Sequence, residues 1–199
     1  MSRYSLYFNE AVAGQIYQAD PRDIMSLPAV VIRSSNSIYG PITFGCPLSF
    51  IEVTVVGSTE ELKGVYITSS EDVTGGPDVF IGISVVSNTC EIEDSNLSET
   101  LDFGAAYFDK DVVSVLTKGK IWVKISDGVN VKAGEKAYVF NYPSSVSTAL
   151  TEFTNEATTT FINPPETVNN IEIGLFVTDK NEQNLAVLQF DLSANQVIL

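Results

Sequence analysis

Lys120-Ile121-Trp122-Val123-Lys124-Ile125 alternates strictly between two kinds of side chain. Ile121, Val123 and Ile125 fall on one face and the lysines with Trp122 on the other, which is the period of a half-buried β-strand. Outward from this stretch the same period recurs in Ser49–Val56, where Ile51, Val53 and Val55 share a side. It recurs again in Val79–Val86, Lys136–Asn141, Ile171–Val177 and Asn184–Phe190. These runs are rich in Val, Ile, Phe and Tyr, which suit a pleated surface. Turn signals separate them: Val56-Gly57-Ser58, Gly75-Gly76-Pro77-Asp78, Asp127-Gly128, Tyr142-Pro143-Ser144-Ser145, Asn163-Pro164-Pro165 and Asp179-Lys180-Asn181. Short strands in close succession predict a mainly β fold, a single β-barrel or β-sandwich domain. Ser147–Ala157 is a candidate short helix, opposed by its Thr and Asn content.

The chain has 199 residues, 44% of them apolar, enough for a sizeable core. It contains no histidine, which excludes Ser-His-Asp and Cys-His catalysis and an imidazole zinc site. Cys46 and Cys90 match no metal or redox spacing and read as two buried free thiols. Calcium would draw on Glu91, Glu93, Asp94 and Glu99, but no D-x-[DN]-x-[DN]-G pattern accompanies them. No cofactor and no metal are therefore expected. A net charge of −14 argues against nucleic-acid and anionic-membrane partners, both of which want Lys and Arg. No apolar run approaches the roughly 20 residues of a membrane span, and Met1-Ser2-Arg3-Tyr4 lacks a signal-peptide pattern. These features predict a soluble, non-enzymatic protein made in a cytoplasm.

Charge is unevenly spread. Residues 34–109 carry Lys63 alone against twelve acids, whereas residues 110–136 carry six lysines against three acids. All three arginines (Arg3, Arg22 and Arg33) lie in the first 33 residues. That stretch mixes apolar anchors with Gly14, Pro21 and Pro28 and reads as an extended N-terminal arm over 1–33, ahead of a β-barrel or sandwich domain over 34–199.

Ala11-Val12-Ala13-Gly14-Gln15-Ile16, followed by Ala19-Asp20-Pro21-Arg22, resembles the N-terminal signature of tailed-bacteriophage structural cement (capsid decoration) proteins. The likeness continues at Phe44-Gly45, at Phe80-Ile81-Gly82-Ile83 and in Val112 to Val123, which is similar to the family's "VSVLT-basic-G-basic-IWV" strand pair. Gly134-Glu135-Lys136-Ala137-Tyr138 and the closing stretch from Ile173-Gly174 to Leu185-Ala186-Val187 extend it almost to the end. Two departures stand out: Cys46, where a basic residue is more usual, and Asn181-Glu182-Gln183-Asn184 in place of a small-residue turn.

The resemblance implies a structural cement protein that binds the outer surface of the phage head and stabilises contacts between major capsid protein subunits. The implied location is the virion's outer capsid surface, after assembly in the host bacterial cytoplasm. Its implied partners are the major capsid protein and itself, as a homotrimer first and a dimer next. Candidate capsid contacts in the arm are Arg3, Phe8, Val12, Ile16 and Arg22, with Lys118, Lys120 and Trp122 at an oligomer or capsid interface. The competing reading is a β-sandwich adhesion or glycan-binding module on the virion surface, drawing on Tyr4, Tyr7, Tyr39, Tyr66, Tyr107 and Trp122.

Overall fold

The computed structural model describes residues 11–17, 22–30, 41–54, 61–69, 80–86, 106–143, 148–162 and 165–192. Among them the chain is all β, without a helix. The stretch that opened the sequence reading lies in the longest strand, β7 (Val112–Lys124), with Ile121, Val123 and Ile125 fully buried. In the first half of β7, β1 (Asp23–Pro28) and β5 (Phe80–Ser84) pair with it. Its second half pairs with β13 (Leu185–Asp191).

From β7 the sheet runs two ways. One wing passes through β5 to β3 (Pro47–Thr54) and β4 (Glu61–Ile67). The other passes through β13 to β12 (Ile171–Phe176), β8 (Lys136–Val139) and β9 (Phe153–Thr154). The ladders are antiparallel and the sheet curls as a half-barrel. Single bridges then bring each wing back towards β7: Ala29, just past β1, pairs with Val65 of β4, and Ile125, just past β7, pairs with Phe153 of β9. Each wing therefore encloses its own core. Ile42, Leu48, Val65, Tyr107, Val113 and Val115 fill one, and Ile121, Val123, Leu150, Phe153, Phe176 and Leu188 belong to the other.

Two small ribbons complete the fold: β2 (Ile42–Thr43) with β6 (Ala106–Tyr107), and the hairpin of β10 (Thr158–Ile162) with β11 (Pro165–Asn169). Polar groups that enter the cores are partnered. Tyr107 donates its hydroxyl to the Val85 carbonyl at 2.6 Å, and Ser49 and Thr68 share a hydrogen bond at 2.8 Å. No buried side-chain nitrogen or oxygen among the described residues lacks a partner, as burial in low dielectric demands.

One expectation is corrected. Residues 148–157 form no helix: Leu150 and Phe153 both point into a core and Thr154 pairs with Tyr138, so tertiary pairing of a Thr-rich segment overrides a helical spacing. The extended arm is not confirmed either. Of residues 1–33 the described ones lie along the sheet, because Met25 and Leu27 pack on the core of Ile42 and Leu48 while Asp23 to Pro28 pair with Lys118 to Val112.

Because β7 serves both cores, truncating it inside is costly and truncating it outside is not. Ile121→Ala should lower stability by about 2–5 kcal/mol. Val112→Ala, at a side chain 65% exposed, should change it by less than about 0.5 kcal/mol. Urea unfolding followed by Trp122 fluorescence checks both values.

Candidate functional site

Of the candidate contact residues at the N-terminus, the described ones, Val12, Ile16 and Arg22, lie in stretches held along β7. Residues 12–15 form a turn in which the Gln15 N–H donates to the Val12 carbonyl at 3.0 Å. Gly14 sits in it at φ +80°, a conformation that favours glycine. Its N–H donates to the Trp122 carbonyl at 2.8 Å, and its own carbonyl accepts from Val86 N–H at 2.9 Å. A Cβ on Gly14 would lie 2.7 Å from the Phe44 Cβ and 2.8 Å from the Gly45 nitrogen, so a side chain there would part the two backbones. Further bonds run from Trp122 N–H to Gln15 at 2.9 Å and from Tyr17 N–H to Lys120 at 3.0 Å.

This clasp fixes which side chains face outward. Ile16 bridges Ile121 and packs against the larger core, so its apolar surface is engaged within the chain. Val12 and Tyr17 remain 42% and 39% exposed, and the Tyr17 ring meets half-buried Trp122 edge-on with centroids 5.7 Å apart. Arg22 is exposed and its Cβ lies beside Gly119, which brings it to the middle of β7 between Lys118 and Lys120. The sequence does not reveal that meeting. Arg3 and Phe8 lie outside the described residues.

The lysines are not idle charges. Lys118 reaches Asp191, directly opposite on β13, at 2.6 Å. Lys124 reaches Glu152 at 2.6 Å, and Lys136 reaches Glu172 at 2.8 Å. Hydrogen bonding to the carboxylate raises all three lysines above their ordinary range, with burial partly opposing it at Lys124. Such cross-strand pairs on a wet face fix register more than they stabilise. Lys120 also has an interaction partner.

Among the described residues no three His, Cys, Asp or Glu side chains gather to hold a metal. An apolar cavity bordered by Pro47, Phe80, Ile83, Val139, Ile173 and Phe190 holds about 10 Å³, room for no more than a water. Cys46 is buried, its thiol 2.9 Å from the Thr43 hydroxyl, and burial pushes its pKa up to about 11, far from a reactive thiolate. Of the aromatics that would favour a glycan platform, Tyr66 and Tyr107 are buried, while Tyr4, Tyr7 and Tyr39 lie outside the described residues. Val12, Tyr17 and Trp122 are thus partly exposed on this side, with Arg22 and the paired Lys118 and Lys124 along the same strand.

Comparison with known proteins bears on this surface. A family model described as structural cement protein (E217 gp24/Pam3 gp6) matches residues 1–191. No curated protein matches the sequence. A chain in a solved structure of the capsid of Myoviridae phage XM1 is similar in fold, with a TM-score of 0.51 and 13% identity, covering 96% of this chain and 98% of that one.

Gly14→Ala should loosen the clasp. Stability falls by about 1–3 kcal/mol, and the Trp122 amide, which donates to Gln15, loses protection in hydrogen exchange while amides of β13 keep theirs. A second expectation concerns Cys46. The folded chain holds the thiol proton to about pH 11, whereas the free group releases it near 9.0. Stability therefore declines as pH rises through that window. The lysine pairs, raised above 10.5, lose their contribution only from that value upward, at the top of the window. Urea unfolding at neutral pH and between those two values should show a smaller decline for Cys46→Ala than for the natural chain.

Proposed function

The chain belongs to the phage structural cement protein family, and from that premise we propose that it binds the outer surface of the phage head and stabilises contacts between major capsid protein subunits. The observation that carries the reading is the clasped N-terminus. Gly14 and Gly45 pack closely and hold residues 11–17 at one place on β7, where Val12 and Tyr17 are exposed.

In this reading Arg3, Phe8, Val12 and Arg22 meet the coat protein, and Ile16 is where the contact surface is riveted to its own domain. Lys118, Lys120 and Trp122 lie along the same strand, at the border of a coat or neighbouring-copy interface. Ordering a contact segment costs about 1–2 kcal/mol per residue. Phe8, Val12 and Tyr17 offset that by burying apolar area at about 25 cal/mol per Å². The clasp reduces the cost, since residues 11–17 are already ordered before the head is met.

Several copies around a local symmetry axis, as a homotrimer first and a dimer next, raise the avidity by roughly 10²–10⁴ over one contact. The protein assembles onto heads in the host bacterial cytoplasm and remains on the virion's outer face. It works there without catalysis, cofactor, nucleic acid or membrane. A glycan-binding role is the second reading, favoured by the half-exposed Tyr17–Trp122 pair, and a glycan array separates the two.

The test is a truncation lacking residues 2–10, which spares the stretches that lie along the sheet. Mixed with heads that lack this protein, it should fail to co-sediment, while its urea midpoint matches that of the full chain. Full decoration by the truncated chain would overturn this role for the N-terminus.

A further inference from the structure

The hairpin of β10 and β11 stands outside both cores. Its register sets Thr158 opposite Asn169, Thr160 opposite Thr167 and Ile162 opposite Pro165, which puts these six side chains on one face. All six are exposed, Ile162 by 91%, and none is charged. The other face is anchored. Phe161 meets Phe140 and Tyr142 with ring centroids 6.2 and 6.0 Å apart. At the base, buried Asn170 donates to the Glu156 carbonyl and the Thr159 hydroxyl, each at 2.8 Å, and accepts from Asn141 N–H at 2.9 Å. The hairpin is therefore held in one orientation with a neutral face turned to solvent.

Its two edges are unlike. β11 begins with Pro165, which has no N–H to offer, and continues with Glu166, two features that protect a strand edge from pairing. β10 reads Thr-Thr-Thr-Phe-Ile, without charge or proline. Among the described residues no strand pairs with its outer edge. The Asn170 N–H bonds to the Ala157 carbonyl, so Ala157, Thr159 and Phe161 turn their backbone groups towards β11. By alternation, Thr158, Thr160 and Ile162 turn theirs outward.

We propose that the outer edge of β10 pairs with β10 of a second copy of this chain, antiparallel, across a two-fold axis at Thr160. The charge pattern selects this occupant. A basic partner would be met by carboxylates, of which the chain has 25, and an acidic one by lysines, yet this edge presents neither. Two copies each carrying −14 repel elsewhere, and an uncharged edge is where they can approach. Self-pairing sets Thr160 against Thr160 and Thr158 against Ile162 of the second copy, with no like charges opposed, and a two-fold contact needs no second complementary surface.

A five-residue strand buries less than the roughly 1,200 Å² of a standard interface, so pairing of free chains is concentration-dependent. The contact does not rest on the capsid reading. It is distinct from the three-fold packing proposed above.

The test uses the full chain without heads. In a Cys90→Ser background, Thr160→Cys should be converted to a covalent dimer by a short bis-maleimide. Thr167→Cys should not, since two copies of that position lie three strand spacings apart, about 14 Å. Sedimentation of the natural chain should show self-association rising with concentration, and Thr160→Lys should suppress it with Trp122 fluorescence unchanged. The proposal is overturned if Thr160→Cys stays uncoupled, if Thr167→Cys couples equally, or if Thr160→Lys associates like the natural chain. Coupling of Thr160→Cys to coat protein in place of itself, when heads are added, also overturns it.

Discussion

Hydrogen bonding along β7 is the constraint on which the rest of the structure depends. This strand has neighbours on both edges through both of its halves: β1 and β5 along the first, β13 and residues 14–17 along the second. A backbone that must satisfy every buried N–H and C=O leaves little freedom to slide. Shifting β7 by one residue would turn Val113, Val115, Ile121 and Val123 out of both cores at once. The two wings, each curling back through a single bridge, inherit their positions from that one register.

The second half of β7 was legible in the sequence because one face meets a core and the other meets water, which writes a period of two into residues 120–125. β1 was not. Ile24 is exposed while Met25 and Leu27 are half-buried, so its apolar residues run together and Pro28 adds the look of a loop. The β10–β11 hairpin left still less trace, since Thr side chains serve either face and its placement comes from Asn141 and Asn170, which carry no local signal. The family resemblance named the candidate contact residues, and hydropathy marked Ile16 as an anchor. Whether Ile16 anchors to its own core or to another protein is a tertiary fact that a single sequence does not contain.

The same holds for charge. In sequence, six lysines between 110 and 136 look like a basic patch awaiting an acidic partner. In three dimensions Lys118, Lys124 and Lys136 each face a carboxylate from a distant part of the chain. The positive block is thus largely cancelled where it stands, and the surplus of acids lies elsewhere. Arginine behaves differently: Arg22 rests beside Gly119, where the missing side chain leaves space for its stem.

Two demands shape the outer surface, and they oppose each other. In the proposed role, a protein at high local density on a shell must not aggregate, which the −14 charge serves by repulsion. It must also adhere, and adhesion needs neutral or apolar area that repulsion would spoil. The chain separates the two in space. Val12 and Tyr17 lie on the clasped N-terminus beside Trp122 of β7, and the uncharged face of β10 and β11 lies on a hairpin of its own. Glu52 and Glu172 are spent on cross-strand lysine pairs, with Lys63 and Lys136. Rigid mounting then matters as much as composition. A flexible neutral segment on an acidic protein invites indiscriminate pairing, whereas one pinned by paired glycines or by buried asparagines meets only a partner that fits its fixed geometry.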